Sequence, residues 1–502
     1  MNFNLKILRA AVIIGALTLL AKFGSAGKEI VVAKWFGRAD ALDAFLIALL
    51  VPTTVMNLLA DALSVALVPT YIKVRDTQGK EAAHRLLSSF FILFASILAG
   101  VTIVVGLLAP YYLPLFGSGF SASKLELTRY LLSMLLPYGL MNGLFIFWAA
   151  ILYAYEDFAV PSWSPIFVPL AIVTFVLLAG GAWGIYALAA GSLVGMFLQC
   201  VAVMWAIRAK GIIGWPRWYG SSSSLLHVVA QSFPTIPTSA LIGGMGFVDQ
   251  TMAAMLPSGS VAALGYGLKL PGLINGFGSA ALAQAILPYF SAMAARQDSE
   301  GIVKTLNTYA LLCVWVGTAI SSFLYLFCRP LIALLFQRGA FTAADTIIVS
   351  RISAFYSLEI PAFLLTMLAA RVLSSLSLNH LLAVVVLMNF IVNIAMNFLL
   401  MKYFGVAGIA LSTTTVFIFS TVALFVVLAH RTRIALERGT IVQIFYAGLV
   451  LLASVALSEL NRSGIAVELV GWSLVLMISI WGLSKRFAYR DILPILARIA
   501  HP

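Results

Sequence analysis

The sequence predicts an all-α polytopic membrane protein of about fourteen transmembrane helices, arranged as two parallel six-helix lobes and two extra C-terminal helices. Three observations predict it: an excess of apolar residues, apolar runs of crossing length, and an internal repeat.

The composition comes first. Of 502 residues, 62% are hydrophobic and 10% charged, and the mean hydropathy is +1.04. Soluble domains carry about 25% charged residues, and even large ones bury only about 75% of their chain's surface. A bilayer is the solvent that fits this chain.

The apolar runs come second. A hydrocarbon core needs about 20 apolar residues per crossing helix. Such runs fall at 7–27, 41–68, 86–109, 130–153, 160–180, 184–207, 222–246, 260–288, 305–328, 346–373, 380–401, 405–429, 440–458 and 467–484. Lys6 and Arg9 before the first run give it the look of a signal peptide, but more spans follow, so it reads as a retained helix. With an even number of spans both termini share a side. The loops on that side collect 18 Lys and Arg against 8 opposite, which places both termini in the cytoplasm.

The repeat comes third. Pro52 and Pro69 recur as Pro271 and Pro288, both offset by 219. Leu115-Phe116-Gly117-Ser118-Gly119-Phe120 is echoed by Leu335-Phe336-Gln337-Arg338-Gly339-Ala340-Phe341 with one insertion. Two copies of six helices have the same orientation, as in transporters with two lobes related about the membrane normal. The expected organisation is a lobe at 1–210, a linker at 211–224, a second lobe at 225–432, and two further helices with a basic tail at 433–502.

Several function classes find no support. Cys200, Cys313 and Cys328 are scattered in apolar runs and give no metal spacing or disulfide framework. No HExxH, Walker, CxxC or paired-carboxylate pattern occurs, so no catalytic residue, metal or cofactor is expected and the chain does not read as an enzyme. The net charge of +13 fits loops facing anionic lipid rather than nucleic acid.

The charges inside spans are the functional candidates. A buried ammonium costs about 2.5–3.5 kcal/mol on insertion scales and tends to face a wet cavity or a partner. Lys22 and Lys28 flank Gly24-Ser25-Ala26-Gly27, which could loosen the helix or admit another backbone. Glu29, seven residues from Lys22, shares its face on an intact helix. Lys269 sits mid-span beside Pro271, in a stretch rich in helix breakers. These lysines suit a diphosphate; snorkelling is the bland alternative for Lys22 and Lys28. Asp43 reads as a substrate contact, an N-cap or an ion pair. Asp61, Glu359, Arg351 and Arg371 read as ion-pair or ion-coupling residues.

Gly339-Ala340-Phe341-Thr342-Ala343, preceded by Leu335-Phe336 and Arg338, resembles a loop of the MviN/MurJ family. So do Ala33-Lys34-Trp35-Phe36-Gly37 with Asp43-Ala44-Phe45, and Pro257-Ser258-Gly259-Ser260 with Tyr266 and Lys269. The resemblance spans essentially the whole chain. It implies the multidrug/oligosaccharidyl-lipid/polysaccharide exporter fold. It also implies flipping of lipid II, an undecaprenyl-diphosphate-linked peptidoglycan precursor, across the bacterial cytoplasmic membrane. The implied mechanism is alternating access around a cationic cavity, with the extra helices forming a groove for the lipid tail. The implied partners are the lipid-linked glycan, the bilayer and a coupling ion, around a monomer. Family arginines match Lys22, Lys28 and Lys269, and a family acidic position is Gly272 here. The alternatives are a flippase for another lipid-linked oligosaccharide and a cation-coupled multidrug exporter.

Overall fold

The computed structural model describes residues 3–212, 216–432, 434–460 and 465–484. The expected basic tail at 485–502 and residues 213–215 of the expected linker lie outside them. The chain is all α-helical, with no strand among the described residues. Its helices are α1 (Phe3–Phe36), α2 (Asp40–Gln78), α3 (Lys80–Phe116), α4 (Ala122–Ala154), α5 (Ala159–Trp163), α6 (Phe167–Trp183), α7 (Ile185–Ala209), α8 (Ser223–Ser232) and α9 (Thr235–Ala254). Then follow α10 (Ser260–Gly267), α11 (Lys269–Ala295), α12 (Ser299–Phe336), α13 (Ala343–Ser357), α14 (Ile360–Ser375), α15 (Asn379–Phe404), α16 (Val406–Thr432), α17 (Arg438–Leu460) and α18 (Ile465–Ser484). Every expected span coincides with one helix or an interrupted pair. Among the described residues, ten helices are long and apolar enough to cross a membrane.

The chain forms two compact units. Unit 1 holds residues 1–262 and 336–342, and unit 2 holds 263–335 and 343–502. The core of unit 1 is aromatic where α3 meets α4. Phe90, Phe94, Phe147 and Trp148 are nearly or fully buried, and Phe94 stacks on Phe147 at 5.2 Å between centroids. Helices α6 and α7 pack backbone to backbone, because Gly191 and Gly195 lie one turn apart on α7. A Cβ at Gly195 would come within 2.5 Å of Val168 Cα. Small residues at this spacing let helices in lipid approach closely.

Unit 2 builds a second core from α11, α12, α14, α15, α16 and α17. Trp315 on α12 is 1% exposed, and α18 crosses it at Gly482, where a Cβ would sit 2.4 Å from the indole. Ser454 of α17 hydrogen-bonds Ser322 of α12 at 3.1 Å, and Trp472 of α18 donates to Ala319 O at 3.3 Å. The last two helices are therefore docked on α12.

The repeat is written into the backbone. After α4, Glu156 has φ +58 and Asp157 N donates to Leu152 O at 2.9 Å. After α14, Ser377 has φ +60 and Leu378 N donates to Leu373 O at 3.0 Å. The six-to-one bond is a Schellman closure, repeated at an offset of 221. Gly184 between α6 and α7, with φ +53, ψ −129, matches Gly405 between α15 and α16, with φ +58, ψ −140. The strand of chain after each sixth span is pinned alike. Ser88 Oγ accepts from Arg217 N at 2.6 Å, and Asn307 Oδ1 accepts from Glu437 N at 2.8 Å.

Candidate functional site

In unit 1, α1 remains helical through Gly24-Ser25-Ala26-Gly27. The small residues serve close packing instead: a Cβ on Gly24 would sit 3.2 Å from Ile166, and α5 and α6 both lie on α1. Lys22 and Lys28 line a single cavity of about 570 Å³, whose other walls include Tyr138 and Asn142 of α4 and Gln199 of α7. Ligand pockets commonly fall in this size range. Lys28 Nζ pairs with Glu29 Oε1 at 2.8 Å, so an entering anion competes with a carboxylate for that ammonium. Asn142 Nδ2 donates to Asn57 Oδ1 of α2 at 2.6 Å. Asp61, one turn beyond Asn57, is exposed and makes no ion pair among the described residues.

A second cluster in unit 1 surrounds Asp43, which is 1% exposed. Its Oδ2 accepts from Lys124 Nζ at 2.9 Å and from Gly259 N at 2.7 Å. Its Oδ1 accepts from Ala262 N at 2.8 Å. Asp43 thus caps the start of α10 from a remote part of the chain, satisfying amides that a helix N-terminus leaves unpaired. Lys124 also pairs with Asp40 at 2.5 Å and lies over the Phe120 ring at 4.0 Å. Glycines permit the crossing. Gly259 has φ +80, and a Cβ there would meet Arg38 O at 2.5 Å. Gly339 has φ +61, and its Cβ would meet Lys34 O at 2.4 Å, the carbonyl that accepts from Ala340 N at 2.8 Å. The motif-rich segments at 33–43, 257–262 and 336–342 therefore meet in one place.

Unit 2 holds the other candidates. Lys269 opens α11, one residue beyond an interruption at Leu268. Pro271 causes it, having no N–H to give the Gly267 carbonyl four residues back. The repeat-related Pro52 leaves α2 unbroken. Glu359 lies at the break between α13 and α14, is 2% exposed, and accepts from Asn275 Nδ2 of α11 at 2.6 Å. Arg351 places its guanidinium 5.7 Å from the Phe355 ring centroid. Arg371 is half-buried on α14. Neither arginine forms an ion pair among the described residues.

The structure thus joins Lys22 with Lys28, joins Glu29 to Lys28, and sets Asp43 in a cluster of its own. Sequence reasoning missed Lys124 and Gln199. Lys124 passed for an ordinary loop cation, and Gln199 is a neutral side chain within an apolar run, with no sequence signal to raise it.

The helical fold, with ten helices long and apolar enough to cross a membrane among the described residues and a cavity lined by Lys22 and Lys28, is that of a multi-pass membrane protein. A solved structure titled "Lipid II flippase MurJ, inward closed conformation" superposes with a TM-score of 0.79 at 21% identity, covering 96% of this chain and 100% of that one. An inward-facing multidrug transporter of the MATE family superposes at 0.65 with 13% identity, covering 90% and 100%. The sequence model of the lipid II flippase MurJ family matches residues 32–477. The chain belongs to that family, one of flippases rather than enzymes. Among its relatives, the probable lipid II flippase of Buchnera aphidicola subsp. Acyrthosiphon pisum is 23% identical over 88% of both chains. That of Vibrio cholerae serotype O1 is 23% identical over 82% of this chain and 80% of the other.

Proposed function

We propose that this chain flips lipid II, the undecaprenyl-diphosphate-linked peptidoglycan precursor, across the bacterial cytoplasmic membrane by alternating access, with both termini in the cytoplasm. The observation that carries this reading is the pair Lys22 and Lys28 on the wall of one cavity within a membrane-spanning unit. Two ammonium groups there suit a diphosphate. Charge-assisted contacts to phosphate are about twice as strong as neutral ones, and stronger in a low-dielectric cavity than in water. Lysine supplies point charges rather than the bidentate fork of arginine, which suits a ligand that must be released as well as held.

In this reading Lys269 contributes a further cation to the substrate. The Asp43–Lys124 cluster holds the outer end of unit 1, and its bonds to Gly259 and Ala262 break when that end opens. Asp61, Glu359, Arg351 and Arg371 are the residues through which an ion or an ion pair would couple to the cycle. The test is depletion rescue. In a bacterium whose own lipid II flippase can be shut off, expression of this chain restores growth and wild-type shape. Lysis at full expression and correct membrane insertion contradicts the reading.

A further inference from the structure

Lys28 meets the cavity of unit 1 already paired. Its Nζ holds Glu29 Oε1 at 2.8 Å, with side-chain exposures of 23% and 14%. Both groups are largely out of solvent, so salt and water screen this pair less than one on an open surface. Glu29 follows Lys28 directly on α1, about 100° round the helix, so the carboxylate reaches the ammonium from its flank. An ammonium has three N–H donors. One goes to Glu29, and the carboxylate offsets the positive charge that Lys28 brings to the cavity wall. Lys22 lies six residues back on the same helix, about 9 Å along its axis, and lines the same cavity. The bilayer around such a cavity is full of competing ligands, since every phospholipid carries a phosphodiester with one negative charge. Two unopposed ammonium groups would draw those headgroups by the same charge-assisted contacts that draw a diphosphate.

We infer that Glu29 is a specificity-determining residue, a built-in competitor that makes the cavity select diphosphate lipids over lipids with a single phosphate. A single phosphate at Lys28 also meets the Glu29 carboxylate, and like charges this close repel. A single phosphate at Lys22 leaves the Lys28–Glu29 pair intact and gains one ammonium only. A diphosphate has more charge on two linked groups. It engages Lys22 through one phosphate and draws Lys28 off Glu29 through the other. Selection of this kind comes from a repulsive element set against the wrong ligand as much as from attraction to the right one. The same competition limits how tightly the diphosphate is held, because Glu29 takes Lys28 back as the substrate leaves. The inference rests on the proposed diphosphate site and adds what sets that site's selectivity.

The test uses the full chain in detergent and three lipids: a polyprenyl diphosphate, the polyprenyl monophosphate of the same chain length, and phosphatidylglycerol. Binding is read by native mass spectrometry. The expected result is that the wild type prefers the diphosphate to the other two. In Glu29→Gln the single-phosphate lipids gain more affinity than the diphosphate, and the preference falls by about three- to tenfold, the scale of a partly buried ion pair. In a Lys28→Gln background most of that change is lost, because the ammonium that Glu29 contests is gone. Where Glu29→Gln fails to insert, Glu29→Met takes its place; it is of similar length and also uncharged. An unchanged preference in Glu29→Gln overturns the inference, as does an equal change with and without Lys28. Loss of diphosphate binding in Glu29→Gln also overturns it, and would make Glu29 a residue that holds Lys28 in place. The underlying diphosphate site fails separately, when Lys22→Gln with Lys28→Gln leaves binding of the polyprenyl diphosphate unchanged.

Discussion

The Asp43 carboxylate accepts the Lys124 ammonium at 2.9 Å, with side-chain exposures of only 2% and 6%. Both charges are nearly out of solvent, and two backbone amides of the chain around α10 complete the carboxylate's bonding. Removing one partner of a buried pair strands the other charge and costs about 3–5 kcal/mol. Lys124→Met should therefore lower the thermal unfolding temperature in detergent sharply. Asp40→Ala should cost under about 1 kcal/mol, because the Asp40 side chain is 59% exposed. Equal melting shifts for the two variants would refute this account of the cluster.

Gly339 carries the close approach of residues 336–342 to α1. Alanine there meets Lys34 O at 2.4 Å and must adopt φ +61. Gly339→Ala should therefore disrupt the Ala340–Lys34 bond and destabilise unit 1. Gly181→Ala, where nothing lies within 4 Å, should be silent. Thermal melts of the purified variants in detergent check this, and unchanged stability of Gly339→Ala would contradict it.

Lys269 begins α11 beside the helix interruption. If its charge serves the substrate, Lys269→Ala abolishes flipping with insertion intact. Lys269→Arg is tolerated and gains a bidentate donor. Outer-leaflet exposure of lipid II at matched expression distinguishes them. Normal exposure with Lys269→Ala would assign this lysine a structural role.

The topology follows from the basic-residue asymmetry of the loops. A reporter fused after Ser458 should lie outside, and one fused after Pro502 inside. Two reporters on one side would mean that α18 does not cross.

The spans were legible because crossing a bilayer demands long apolar runs, and a break such as Leu268 announces itself through Pro271. The repeat was legible through prolines and glycines, whose backbone constraints fix local geometry in any context. The Schellman closures at Glu156 and Ser377 were not, because neither residue is a glycine and their left-handed backbone depends on the helices they end. Lys22 and Lys28 stood out as charges in apolar surroundings. Lys124 did not, since its partner Asp43 lies 81 residues away and only the fold joins them. Gln199 was invisible for the complementary reason. It is a neutral side chain that the fold places on a cavity wall, and no local pattern encodes that placement.

In the proposed cycle the lysines hold the substrate's diphosphate during transport. The most direct measurement is lipid II exposure on the outer leaflet of cells that depend on this chain, comparing wild type with the Lys22→Gln, Lys28→Gln, Lys269→Gln variant at equal membrane abundance. Lipid II is expected to be exposed in the wild type and not in the variant, because three neutral amides cannot replace charge-assisted contacts to phosphate. Normal exposure in the triple variant would contradict it.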